Sequence, residues 1–76
     1  MFTGEHDPFT APHEGRAVAE AFSRAWFTTI DRAGHLFHIE QFEVVLDLLL
    51  RFMQGELRGP APGCGPLEWV GAEPLA

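Results

Sequence analysis

The period of apolar positions changes along the chain, and the changes mark its elements. Trp26-Phe27-Thr28-Thr29-Ile30 is aromatic and β-branched between turn formers, which predicts a buried strand. Met1-Phe2-Thr3 predicts the end of an earlier strand. Between them, Ala17, Val18, Ala21, Phe22 and Ala25 recur at three- and four-residue spacings, predicting a helix from His13 to about Arg24. Thr10 is the expected N-cap, Pro12 suits the first turn, and Glu14 suits the positive end of the helix dipole. Helix 13–24 is expected to meet the sheet through Val18 and Phe22. Asp31 to His35 reads as a loop, and Leu36 to Ile39 as a short turn.

The strongest helical pattern runs from about Gln41 to Gln54, with Gly55 placed to stop it. Glu43, Asp47, Arg51 and Gln54 form its polar stripe, which covers only about 80° of the helix surface. Phe42, Leu46, Leu49 and Met53 are the expected sheet-facing residues. A helix this apolar needs cover on several sides, supplied by another chain or by further polypeptide. Self-association through residues 41–54 is one expected source.

Strand, helix, strand with a crossover of about twenty residues is a βαβ unit with parallel strands. The expected fold class is therefore α/β, a truncated βαβα unit. Residues 1–55 form the expected domain. Residues 56–76 are rich in Gly and Pro and are expected to be a flexible tail without a regular element.

Composition narrows the partners. The chain has 76 residues and a single cysteine, Cys64, so no internal disulfide can brace a small core. Eleven acidic side chains against five arginines give a net charge of −6, which argues against nucleic acid and against anionic membranes. Apolar runs stop at three residues, as in Leu48-Leu49-Leu50, so no membrane span is expected. No secretory signal pattern opens the chain, and a cytoplasmic location is expected.

Two side chains stand out by position. Asp7 follows the first strand and His35 follows the second. Parallel strands send both loops to the same carboxyl edge, where α/β proteins build their sites. An Asp that accepts from one ring nitrogen leaves the other free as a base. The plainer alternatives are a turn-forming Asp before Pro8 and a loop histidine after Gly34.

The segment Gly4-Glu5-His6-Asp7-Pro8-Phe9-Thr10-Ala11-Pro12 resembles the stretch after the penultimate strand of α/β-hydrolase-fold enzymes. Ala33-Gly34-His35-Leu36-Phe37-His38-Ile39-Glu40 resembles the stretch after their last strand. The acid precedes the histidine, as in that family. The resemblance implies that Asp7 is the triad acid and His35 the triad base of a hydrolase or acyltransferase. It further implies a small acyl or ester substrate and no cofactor. Residues 1 to about 54 would be the carboxyl-terminal part of such a domain. The nucleophile elbow G-x-S-x-G is absent, and Ser23, the only serine, lies in the first predicted helix. The chain alone is therefore expected to be inactive.

His35-x-x-His38, with His6 and Asp7 near, invites a zinc reading, but the spacing matches no established metal motif; no metal is expected. Glu40 reads as a helix-start residue and Cys64 as an incidental thiol. The alternative to an enzyme is a small non-catalytic protein that docks or dimerises through its apolar last helix.

Overall fold

A computed structural model describes residues 1–57 and 60–74. Its elements are β1 (Phe2–Gly4), α1 (Pro12–Glu20), β2 (Trp26–Ile30), α2 (Phe37–Glu40), α3 (Phe42–Met53) and β3 (Glu68–Trp69). The result is a small mixed α/β domain. Its sheet has the order β1-β2-β3. β1 and β2 run parallel with Phe2 opposite Thr28 and Gly4 opposite Ile30, and α1 makes the crossover. β3 lies antiparallel on the other side of β2.

Helices cover both faces of the sheet. Alternation along the strands turns Thr3 and Phe27 toward α1, where both approach Gly15. It turns Ile30 toward α3, where Ile30 shares a buried cluster with Val45 and Leu48. Leu57 and Ala33 complete that cluster, and Phe2, Trp26 and Leu67 pack around it.

α1 departs from its expected face and length. It buries Gly15 and Ala19, while Val18 and Phe22 are more than half exposed. The reason is close approach. A Cβ at Gly15 would overlap the Thr3 methyl, so only small residues fit between this helix and the sheet. The cap is Ala11, not Thr10, and the Glu14 carboxylate accepts from the Ala11 N–H at 3.4 Å. The helix ends at Glu20 instead of Arg24, its last turn tightening as the N–H groups of Ala21 and Phe22 bond the Val18 and Ala19 carbonyls three residues back, both at 3.1 Å. The carbonyls of Phe22 and Ser23 accept from the N–H groups of Ala72 at 3.2 Å and Glu73 at 2.9 Å.

α3 has the expected bounds and the expected stop. Gly55 adopts φ +72°, its N–H bonds the Phe52 carbonyl at 3.1 Å, and the Glu56 N–H bonds the Arg51 carbonyl at 2.8 Å. This double closure satisfies carbonyls that a helix end leaves open. The buried face, however, is Val45 and Leu48, turned about a quarter turn from the expected stripe. Phe42, Leu46, Leu49 and Met53 are exposed.

The rotation follows from the carboxyl-terminal segment, which was expected to hold no regular element. Instead β3 pairs Trp69 with Trp26 and Glu68 with Phe27, and Cys64 bridges Ile30. The Gly65 N–H donates to the Thr29 carbonyl at 2.8 Å, and the Thr28 hydroxyl donates to the Gly65 carbonyl at 3.0 Å. Gly63 comes so close to Val44 that a Cβ there would clash with it. The open edge of β2 thus recruits this segment, which also claims one flank of α3. Among the described residues no helix is long and apolar enough to cross a membrane.

Candidate functional site

The ladder between β1 and β2 continues past the strand ends. The Glu5 N–H donates to the Ile30 carbonyl and the His6 N–H to the Ala33 carbonyl, both at 2.9 Å. The two loops therefore leave the sheet side by side. A tight turn follows, closed by the Asp7 N–H on the Gly4 carbonyl at 3.2 Å. It swings the Asp7 side chain inward, where only 3% of it remains exposed.

Pro8 has no N–H to offer, so Asp7 takes the next two. Its Oδ1 accepts from the N–H of Phe9 at 2.8 Å and of Thr10 at 3.0 Å. Its Oδ2 faces Nδ1 of His35 at 3.1 Å. Residues 28 positions apart in sequence thus meet at the carboxyl edge, as the topology predicts. Burial is the largest single influence on the Asp7 carboxyl and pushes its pKa up. The two backbone donors and His35 together outweigh it and hold the carboxyl below its usual range. Asp7 is therefore an anion that favours Nδ1–H on the imidazole.

The His35 loop is held from three sides. Ala33 is buried in the core. The Arg32 N–H donates to Glu5 Oε1 at 3.1 Å, and the Gly34 N–H donates to Glu40 Oε2 at 3.0 Å. The Phe9 ring meets the imidazole edge-to-face with centroids 5.2 Å apart. Glu40, expected at a helix start, instead ends α2 and clamps the loop, and Gly4 lets the loop approach. A Cβ on Gly4 would stand 2.5 Å from the Ala33 carbonyl oxygen. Both positioning roles escape sequence reasoning: Gly4 acts through a contact across two loops, and Glu40 through a bond from a backbone N–H six residues earlier.

With Nδ1 committed to Asp7, Nε2 of the half-exposed ring is the basic atom. This arrangement can accept a proton from a hydroxyl and return it, with Asp7 stabilising the cation between. No hydroxyl or thiol among the described residues bonds to His35. Ser23 precedes the amino end of β2, whereas His35 follows its carboxyl end, roughly 17 Å of strand away. Cys64 donates to the Ala61 carbonyl at 3.5 Å, and burial pushes its thiol pKa up, the opposite of an activated nucleophile. Nor do three His, Cys, Asp or Glu side chains converge as a metal site among the described residues.

Comparison with known proteins finds no matching family model, curated protein or solved structure.

Proposed function

We propose that the chain carries the acid and base of a serine-dependent α/β-hydrolase-type enzyme, acting in ester hydrolysis or acyl transfer. The observation that carries this is the 3.1 Å contact of His35 Nδ1 with the buried Asp7 carboxylate at the shared carboxyl edge of two parallel strands. In this reading polypeptide outside these residues supplies the serine and the oxyanion donors. His35 Nε2 takes the serine proton as the oxygen attacks the acyl carbon. It then protonates the departing alkoxide and activates the water or alcohol that releases the acyl group. Asp7 orients the ring throughout and neutralises the imidazolium. No cofactor enters these steps. Substrate choice belongs to a pocket that these residues do not build.

The test is fluorophosphonate labelling of the full product of the native gene, together with any chain that co-purifies with it. The probe reacts with activated serines. The expected result is a labelled serine whose labelling falls at least ~100-fold in His35→Ala and falls strongly in Asp7→Asn. Absence of labelling, or labelling indifferent to His35, overturns the reading.

A further inference from the structure

The Asp7 carboxylate serves two partners at once. Its Oδ2 faces Nδ1 of His35 at 3.1 Å, while its Oδ1 accepts from the N–H of Phe9 at 2.8 Å and of Thr10 at 3.0 Å. The Phe9 ring then meets the imidazole edge-to-face, with centroids 5.2 Å apart and planes inclined at 69°. Three residues thus form a closed circuit of contacts, from acid to backbone, from aromatic ring to imidazole, and from imidazole back to acid. Pro8 stiffens its shortest side, because the pyrrolidine fixes φ at about −65°.

One hydrogen bond does not fix an imidazole. It pins Nδ1, but the outer torsion of a histidine is broad and lacks sharp staggered wells, so the ring can swing about the pinned atom. Asp7 is the only hydrogen-bond partner of the ring among the described residues, and the side chain is 54% exposed. Glu40 and buried Ala33 restrain the main chain of the loop and leave the side-chain torsions of His35 free. A base acts well only when its lone pair stays within ~10–20° of the productive direction. The contact that supplies this second restraint is the one with Phe9.

We propose that Phe9 is a positioning residue for the acid–base pair, its ring holding the imidazole at the angle that keeps Nδ1 on Asp7 and Nε2 bare. The proposal rests on the acid–base reading of Asp7 and His35, and not on the identity of the nucleophile or the substrate. Phe9 has no part in the buried cluster and is 76% exposed. Removing its ring therefore leaves the core intact and separates position from stability.

An edge-to-face aromatic contact is worth a factor of about 2 to 10 in the populations it separates. Exchange of the His35 Nδ1 proton with water requires the ring to leave Asp7, so the exchange rate follows the population of the open ring. Nitrogen-resolved NMR of the full chain near pH ~8 should show this proton exchanging ~2- to 10-fold faster in Phe9→Ala than in the wild type. Phe9→Tyr keeps the aromatic ring and should keep the wild-type rate. Both variants should melt within ~3 °C of the wild type, as other surface changes do. An unchanged rate in Phe9→Ala, or an equal acceleration in Phe9→Tyr, overturns the proposal. A midpoint lowered beyond that margin in Phe9→Ala makes Phe9 a structural residue and overturns it too. In the wild type, nuclear Overhauser contacts should join the Phe9 ring protons to the carbon-bound protons of the His35 ring, and their absence overturns the proposal without any variant. Asp7→Asn distinguishes the two ways of failing. An unchanged His35 tautomer in Asp7→Asn removes the acid–base reading and this proposal together. A changed tautomer there, with an unchanged exchange rate in Phe9→Ala, removes the role of Phe9 alone.

Discussion

Replacing Gly4 by alanine adds one methyl group at the point where β1 passes the His35 loop. The new Cβ would stand 2.5 Å from the Ala33 oxygen and 2.8 Å from the Gly34 carbonyl carbon, with the Gly34 oxygen closer still. All three are backbone atoms, so no side chain can rotate away. Relief requires the loop to withdraw by about 1 Å to reach ordinary carbon–oxygen separation. That displacement strains the His6–Ala33 hydrogen bond, now 2.9 Å, and carries His35 away from Asp7, now 3.1 Å. Overpacking of this kind costs about 1–3 kcal/mol. Gly34→Ala is the natural control. A Cβ there meets only the Glu40 carboxylate oxygens, at 3.5 and 3.9 Å, which is ordinary contact. Urea denaturation should give Gly4→Ala a midpoint lowered by an amount equivalent to 1–3 kcal/mol. Gly34→Ala should change stability by less than about 0.5 kcal/mol. The reasoning is refuted if the two variants are equally stable, or if Gly34→Ala is the worse.

Three further outcomes follow from the packing and the charges. Thr3 buries a hydroxyl that has no partner among the described residues, so Thr3→Val should raise stability by about 1 kcal/mol, read from the same urea midpoint. Asp7 has a folded pKa below its ordinary value, so between the two values the unfolded state binds more protons. Its stabilising contribution is complete above the ordinary carboxylate value of 3.8 and is lost as pH falls through the folded value. Wild-type stability should therefore fall more steeply than that of Asp7→Asn below about pH 4. A chain ending at Gln54 loses Leu57, β3 and the packing of Leu67, and its melting midpoint should drop by more than ~5 °C.

Some of this architecture is legible in the residues themselves. The strand at Trp26–Ile30 and the helix bounded by Gln41 and Gly55 follow from local composition, and local physics decides them. Two parallel strands with a helical crossover then suffice to bring Asp7 and His35 to one edge. The sides on which the helices pack are not legible in that way. Hydrophobicity marks Val18 and Phe22 as the inner face of α1, but the gap between helix and sheet admits only Gly15 and Ala19. Along α3 nearly every direction is apolar, so the buried side is chosen by what arrives from elsewhere. What arrives is the segment around Gly63, Cys64 and Leu67, whose Gly and Pro content hides it. Its order comes from pairing with the open edge of β2, a contact some forty residues away in sequence. The Glu40 clamp on Gly34 spans only six residues and is hidden for a different reason, since the sequence suggests a helix-start role for a residue that in fact ends α2.

The acid–base pair itself is most directly tested by long-range proton–nitrogen correlation spectroscopy of the histidine rings. The spectrum should be recorded near pH ~8, where an ordinary imidazole is neutral. In the wild-type chain His35 should be protonated at Nδ1 and bare at Nε2, because the Asp7 carboxylate 3.1 Å away accepts from Nδ1. In Asp7→Asn that preference should be lost, while His6, His13 and His38 keep their signals. Protonation of His35 at Nε2 in the wild type, or a ring indifferent to Asp7→Asn, would contradict the pairing and remove the basis for a catalytic role.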